Sequence, residues 1–339
     1  MTDRSGLSIE SLSIALGKDR REAISDFSLQ VPSGAAVGLV GESGSGKSLA
    51  SRAALGLLPR HVEVSGRILL DGQSVLDLSP EQLRRVRGSG VAMIFQDPMS
   101  SLNPLIRVGE SIAQVARSHD GAVGHSAALE RAVQLMERVG IRDARARSRS
   151  FPHEFSGGMR QRIMIAMALA AKPRMLLADE PTTALDVIVQ ASILELLGEL
   201  RRDQGMGLLL VSHDLAVVAS LCERIAVMYA GQIVEEGPTM DVLMRSRMPY
   251  TVGLLASTRR SKALPRLASI PGTPPPLGER PTWCRFAARC PLVAPQCLDG
   301  PIPLVEIAAG HKARCIRADD VPGINTLGFS APDREAQHG

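Results

Sequence analysis

An eight-residue run, residues 41–48, constrains the fold of this chain more than any other feature. It matches the pattern G-x-x-x-x-G-K-[ST], with a compact apolar run (35–40) before it and a segment of helical composition after it. A phosphate-binding loop needs this setting, because its glycines let backbone N–H groups converge and the following helix adds a positive N-terminus. We predict that Lys47 reaches the β- and γ-phosphates of a nucleotide and that Ser48 binds Mg²⁺. The predicted nucleotide contacts of this loop are Gly41, Glu42, Ser43, Gly44, Ser45, Gly46, Lys47 and Ser48.

The hydrophobic pattern alternates between strands and helices over most of the chain. Residues 1–33 are typical of short strands and turns, residues 64–75 of a hairpin, and residues 107–170 of successive helices. Such alternation predicts an α/β fold with a mostly parallel sheet. The pattern weakens after about residue 260, where proline and glycine become frequent. We therefore predict one large domain over residues 1–260 and an irregular, Pro-rich extension over residues 261–339.

Composition narrows the class of protein. The 339 residues are 45% hydrophobic but only 3% aromatic, which predicts a large aliphatic core. A net charge of +4 suits anionic small molecules or a lipid surface and is too small to indicate nucleic acid. No apolar run approaches the ~20 residues that cross a bilayer, and the N-terminus lacks a secretion signal. We expect the chain to stay in the cytosol.

An acidic pair ends another apolar run. Asp179 and Glu180 directly follow Met175–Ala178, so they are expected at the end of a buried strand. An Asp-Glu pair alone is commonly a solvated turn. Beside a phosphate-binding loop, it predicts that Asp179 holds Mg²⁺ and its hydration shell and that Glu180 polarises an attacking water.

Residues 155–162, here called the signature segment, read Phe-Ser-Gly-Gly-Met-Arg-Gln-Arg and open a helix. This segment resembles the signature of ATP-binding cassette (ABC) ATPases. The resemblance implies a P-loop NTPase (RecA-like) core with a β-rich N-terminal subdomain and a helical subdomain at about residues 100–172. It also implies that two such chains pair head to tail with ATP between them, so that Ser156, Gly157 and Gly158 bind the nucleotide of the partner.

Three further positions match this family in order. Gln96 resembles the glutamine that senses Mg²⁺ and contacts the membrane partner, Ala184–Asp186 resembles the D-loop, and His213 resembles the histidine that contacts the γ-phosphate. We therefore add Gln96 to the Mg²⁺ ligands, Asp186 to the nucleotide contacts, and His213 to Lys47 and Glu180 as catalytic residues. Leu16 lies where the family often stacks an aromatic residue on adenine, which leaves the base contact open.

Three segments resemble the dipeptide/oligopeptide permease branch of the family: residues 96–104, 248–251 and 270–275. The branch implies ATP-driven peptide import with a related sister ATPase, two membrane permease subunits and an external solute-binding protein. It places the chain on the cytosolic face of the membrane. Nickel or another small solute is an alternative cargo. A soluble, non-transport ABC ATPase and a regulatory protein with an inactive site are the competing classes.

Four of the five cysteines crowd near the C-terminus: Cys284, Cys290, Cys297 and Cys315. Four thiolates can hold a [4Fe–4S] cluster or a tetrahedral Zn²⁺. The long spacings and the Cys290-Pro291 step favour iron–sulfur, because zinc sites usually show C-x2-4-C pairs. Zinc and unliganded thiols stay open as alternatives. Similar tails in the peptide-permease branch are implied to hold such a cluster.

Overall fold

The computed structural model describes residues 5–59, 61–97, 101–183, 185–258 and 269–321. Its strands are β1 Gly6–Leu16, β2 Arg21–Pro32, β3 Ala36–Val40, β4 Glu63–Leu70, β5 Gln73–Ser74, β6 Val91–Ile94, β7 Met175–Asp179, β8 Gly207–Ser212, β9 Arg224–Tyr229, β10 Gln232–Pro238, β11 Val305–Ala308 and β12 His311–Ala313. Its α-helices are α1 Lys47–Ala54, α2 Pro80–Ser89, α3 Val108–His119, α4 His125–Arg138, α5 Ala144–Arg147, α6 Gly157–Leu169, α7 Val187–Gln204, α8 Leu215–Ala219, α9 Thr239–Met244 and α10 Pro249–Thr258.

A central sheet of eight strands organises the fold, in the order β11-β12-β10-β9-β3-β8-β7-β6. Strands β9, β3, β8, β7 and β6 run parallel. Strands β3, β6, β7 and β8 are buried along their whole length, as expected for parallel strands covered on both faces. The predicted α/β fold with a mostly parallel sheet is confirmed.

Alternate residues of the central strands enter two different cores. In β7, Leu176 and Ala178 pack in the core shared with α3, α4 and α6, whereas Met175 and Leu177 pack in the core shared with β1, β2 and α1. The second core joins the antiparallel sheet β2-β1-β4-β5 to the central sheet. This sheet is the β-rich N-terminal part, and its β4–β5 turn at Asp71-Gly72 follows the predicted hairpin.

The parallel strands bring the predicted functional residues to one edge of the sheet. The loop 41–48 follows β3, Gln96 follows β6, Glu180 follows β7, and His213 follows β8. Because parallel strands end on the same edge, residues far apart in sequence converge there. Within the part of the chain that the structure describes, no helix has the length and apolar character needed to cross a bilayer.

The extension is less irregular than the sequence indicates. Most of residues 269–304 lacks regular strands or helices, but β12 pairs antiparallel with β10, and β11 pairs with β12. The His311 side chain lies 2.9 Å from Glu235 of β10, and both side chains are buried. The C-terminal strands therefore continue the central sheet. The domain division at residue 260 stays a prediction, since residues 259–268 and 322–339 lie outside the described residues.

Candidate active site

The loop 41–48 wraps around a buried lysine. The Lys47 Nζ atom donates hydrogen bonds to the Gly41 and Glu42 carbonyl oxygens at 2.8 and 3.0 Å. Gly46, with φ of +112°, immediately precedes α1 in a left-handed conformation that a residue with a β-carbon rarely adopts. Burial lowers the pKa of Lys47, while the carboxylates of Glu180, Asp179 and Glu42 act to raise it. The loop therefore holds the Lys47 ammonium in place at the predicted phosphate site.

Two oxygen donors lie beside this lysine. The Ser48 hydroxyl donates a 3.0 Å hydrogen bond to the Asp179 carboxylate. Burial raises the pKa of Asp179, and the hydrogen bond from Ser48 opposes that shift. Hydroxyl and carboxylate oxygens are the ligands that Mg²⁺ prefers, so this pair fits the predicted ion.

Glu180 is the most constrained residue of the site. Its φ of +48° is a left-handed value that non-glycine residues seldom adopt. Its carboxylate accepts hydrogen bonds from Gln96 Nε2 at 3.1 Å and Thr183 Oγ1 at 2.9 Å, and it lies 3.3 Å from His213 Nδ1. Side chains that follow three different strands thus hold one carboxylate in a single orientation. This arrangement is compatible with the predicted role of Glu180, which is to polarise a water molecule.

One cavity of about 1010 Å³ joins these groups. Of the predicted site residues, it is lined by Glu42, Ser43, Gly44, Gly46, Lys47, Ser48, Gln96, Glu180 and His213. Asp179 reaches the site through its hydrogen bond to Ser48. The other two loop residues, Gly41 and Ser45, are buried and do not line the cavity.

The signature segment and the D-loop lie elsewhere on the chain. The Ser156 hydroxyl caps α6 by accepting from the Met159 N–H at 3.4 Å, and Ser156 and Gly157 are exposed. Asp186 caps α7, where Val187 and Ile188 are 81% and 83% exposed. Neither Ser156, Gly157, Gly158 nor Asp186 lines the cavity. Ala184, part of the predicted D-loop, lies outside the described residues.

Sequence reasoning missed a contact between the extension and the phosphate loop. Arg289 donates two hydrogen bonds to the Glu42 carboxylate at 2.8 and 3.0 Å, and a third to the Pro271 carbonyl oxygen. The Glu42 N–H donates to the Tyr250 hydroxyl at 2.8 Å. Tyr250 lies in a segment used above only for branch resemblance, and no pattern marks Arg289 except its position before Cys290. The extension therefore braces the phosphate loop.

Replacing Arg289 by Met is expected to lower the free energy of unfolding by about 3 kcal/mol, because the Glu42 carboxylate loses its partner in a largely buried pair. The Arg289 side chain is only 5% exposed. Urea denaturation measures the change. Arg85→Ala, which removes an exposed pair with Glu81, is the control and should cost less than about 0.5 kcal/mol. Equal small losses in both variants would contradict the bracing role.

The four cysteines of the extension line one small cavity together with apolar side chains. All four are free thiols, and the Cys284 N–H donates to the Cys297 carbonyl oxygen at 3.2 Å. Burial raises the pKa of Cys290 to about 12 and that of Cys315 to about 11. Across the described ranges, no group of three or more His, Cys, Asp or Glu side chains has the arrangement of metal-ion ligands. The cysteines therefore lie near one another, but the described residues do not show the metal-ligand arrangement that the predicted [4Fe–4S] cluster or Zn²⁺ requires.

Comparison with known proteins assigns the chain to a family. Residues 24–183 match the ABC transporter family model. A putative peptide import ATP-binding protein of Brucella abortus is 45% identical over 331 residues, covering 93% of this chain and 98% of that protein. The chain belongs to the ABC transporter family. Residues 234–297 also match the C-terminal region of oligopeptide/dipeptide transporters, which confirms the branch resemblance.

Other family members agree in sequence and fold. An oligopeptide transport ATP-binding protein of Mycobacterium tuberculosis is 48% identical over 93% of this chain, which spans only 52% of that longer protein. The Escherichia coli protein of the same name is 43% identical over 87% of each chain. A dimeric ATP-binding cassette bound to ADP and Pi superposes with a TM-score of 0.61 at 26% identity, covering 69% of this ABC chain and 98% of the other. The predicted P-loop NTPase fold is confirmed.

Proposed function

We propose that this chain is the ATP-hydrolysing subunit of an ABC importer that takes up di- and oligopeptides. The observation that carries the proposal is the Glu180 carboxylate, held by Gln96 and Thr183 and lying beside His213, in the cavity that Lys47 lines. Such an arrangement suits hydrolysis of a bound nucleotide, because phosphoryl transfer depends on positioning and charge neutralisation.

Each residue has a separate task in this mechanism. Lys47 binds the terminal phosphates, and Glu180 orients and polarises the attacking water. Ser48 and Asp179, with Gln96 nearby, would hold Mg²⁺, which neutralises charge on the β- and γ-phosphates when bound. His213 lies close enough to Glu180 to contact the γ-phosphate that the water attacks.

A second ATPase subunit completes the site in this proposal. Ser156, Gly157 and Gly158 lie at an exposed helix start outside the cavity, so one chain does not bring both phosphate-binding segments to one nucleotide. Head-to-tail pairing places the signature segment of a sister subunit, and its Asp186 loop, against this nucleotide. Closure on ATP and opening after hydrolysis then drive the partner proteins.

Membrane permease subunits are the proposed partners that this closing and opening moves. A groove of about 640 Å³ lies beside Gln96, with Phe95 and Leu57 among its partly exposed apolar side chains. A short helix of a permease subunit fits such an apolar groove, and Gln96 links it to the nucleotide cavity, since it lines both. The ABC subunit then lies on the cytosolic face of the membrane, with a solute-binding protein on the other side.

Uptake into proteoliposomes tests this function. The chain is reconstituted with its sister ATPase, two permease subunits and the solute-binding protein, and entry of a labelled dipeptide is followed with and without internal ATP. ATP-dependent peptide entry supports the proposal. Entry of Ni²⁺ but not peptide would change the cargo, and ATP hydrolysis that does not respond to the membrane subunits would refute transport.

We also propose that Cys284, Cys290, Cys297 and Cys315 hold a [4Fe–4S] cluster that stabilises the extension. What supports the proposal is that all four cysteines line one cavity, whose other lining residues are apolar apart from Arg317. Binding of the cluster requires their side chains to move closer together than they lie in the described structure. Burial raises the pKa of the Cys284, Cys290 and Cys315 thiols and so disfavours their thiolate forms; binding of a positively charged centre would offset that cost. The cluster would add to the apolar contacts of the extension, in which Phe286, Ile302 and Val321 are buried.

Cys290→Ser is expected to remove most of the iron and acid-labile sulfide from anaerobically purified protein, because one of four ligands is lost. Cys222→Ala is the control, since Cys222 is buried outside the cysteine cavity, and it should keep the wild-type iron content. Metal and sulfide analysis is the measurement. If the wild-type protein contains zinc but no sulfide, the site holds Zn²⁺ instead of a cluster. If it contains neither iron nor zinc, the metal site is refuted.

A further inference from the structure

The nucleotide cavity has two chemically different ends. Lys47, Ser48 and Glu180 make one end polar, as phosphates require. Much of the remaining lining is apolar and comes from Leu16, Ala23, Leu254, Pro274, Pro275, Pro276 and Leu277. Among the described residues that line the cavity, the one aromatic ring is the imidazole of His213, which lies beside Glu180 at the polar end. A base entering the apolar end therefore has no ring to stack on and must pack against aliphatic carbon.

One short segment of the extension supplies a large part of that apolar end. Pro274, Pro275, Pro276 and Leu277 all line the cavity, and Leu277 is 37% exposed. Proline side chains are rigid and lose no rotamer freedom when a ligand covers them. Apolar surface on both Leu16 and Leu277 becomes buried when a flat ring enters between the end of β1 and the extension, which favours binding.

Arg280 joins this segment to the N-terminal sheet. Its Nη1 donates to the carbonyl oxygens of Glu22 and Ala23 in β2, and both Arg280 and Ala23 line the cavity. The Arg280 Nε atom is buried and has no hydrogen-bond partner within the described part of the chain. A buried N–H without an acceptor is costly, so a ligand acceptor that reaches this atom when the Arg280 side chain adjusts would stabilise the bound state.

A second arginine keeps the segment in place without nucleotide. Arg285 donates to the Ala230 carbonyl oxygen at 2.6 Å and forms an ion pair with Glu22. Arg285 does not line the cavity. Arg280 and Arg285 thus attach the extension to the same strand, β2, and the apolar surface exists before a ligand binds. Such preorganisation lowers the cost of binding.

We propose that Pro274–Leu277 and Arg280 form the nucleoside-binding end of the ATP site. Pro274–Leu277 pack against the adenine base, and Arg280 donates its unpartnered N–H to an acceptor on the base or ribose. The inference rests on the proposed ATPase function and deepens it. The extension thereby takes the role of the aromatic residue that is missing at Leu16.

Calorimetric titration separates the two ends of the site. MgATP and magnesium tripolyphosphate, which lacks base and sugar, are titrated into full-length Glu180→Gln protein and into the same protein carrying Arg280→Ala or Leu277→Ala. Each added substitution is expected to raise the Kd for MgATP about tenfold, the effect of one lost buried contact. The Kd for tripolyphosphate should not change. Glu279→Ala, an exposed neighbour that does not line the cavity, should change neither.

The outcomes distinguish this inference from the proposed function. Unchanged MgATP affinity in both variants overturns the nucleoside site while leaving ATP binding intact. Equal losses for ATP and tripolyphosphate also overturn it, because the segment would then act on the phosphate loop. If the Glu180→Gln parent binds no ATP, the proposed function itself fails. If Arg280→Ala does not fold, the result for Leu277→Ala tests the inference, because the leucine substitution removes no hydrogen bond.

Discussion

Replacing Glu180 by Gln is expected to reduce ATP hydrolysis by about 100- to 10,000-fold, the usual contribution of a positioned general base. The substitution keeps the shape of the side chain but removes the charge that polarises water. ATP affinity should persist, because Lys47 and Ser48 are unchanged. A phosphate-release assay measures turnover, and light scattering measures whether the variant accumulates as ATP-bound dimers.

Glu199→Gln is the matched control for this result. Glu199 lies exposed on α7 and does not line the cavity, so turnover should stay within about twofold of wild type, as for a typical surface substitution. If Glu180→Gln hydrolyses ATP at the wild-type rate, another group activates the water. The convergence of Gln96, Thr183 and His213 on Glu180 would then need a different explanation.

Lys47→Ala is expected to lower ATP hydrolysis by about 100- to 1000-fold through loss of a preorganised phosphate donor. Binding of MgATP should weaken as well, because Lys47 contacts phosphate in both the ground state and the transition state. Calorimetry and the same phosphate-release assay measure the two effects. Lys172→Ala, at an exposed turn after α6, is the control. Unchanged turnover in Lys47→Ala would refute the phosphate site.

Lys47→Ala should cost little stability in the absence of nucleotide. Burial lowers the pKa of Lys47, which means that the protein bears a desolvation cost to keep this ammonium charged. Alanine removes that cost together with two hydrogen bonds to carbonyl oxygens. A thermal melt close to wild type would show that the lost activity does not come from unfolding.

Local motifs predicted which residues lie together at one edge of the sheet, and their catalytic roles stay predictions. Lys47, Glu180, Gln96 and His213 each follow a buried strand within a few residues, so the parallel sheet alone brings them together. The nucleotide contacts predicted for Ser156 and Asp186 require a second chain. In the structure of one chain, both residues lie at the start of a helix, away from the cavity.

Long-range contacts with the extension were beyond sequence reasoning. Arg289 and Glu42 are 247 positions apart, and no periodicity or spacing connects them. Strands β11 and β12 have four and three residues, too few for an alternating pattern to be recognised. Leu16 gave the one sequence-based indication that another segment contacts the base. At this position the family often has an aromatic residue, and its absence left the base contact unassigned.

Strand β12 also has a consequence for solubility. β12 pairs with β10 at Glu235 and Glu236, whose backbone groups would otherwise lie at an unpaired edge of the central sheet. The short β11 then becomes the outermost strand. A long unpaired edge strand can pair with a strand of another chain, whereas a four-residue edge strand offers few backbone groups for such pairing. Strands β11 and β12 therefore reduce the length of β10 that is open to pairing with a strand of another copy of the chain.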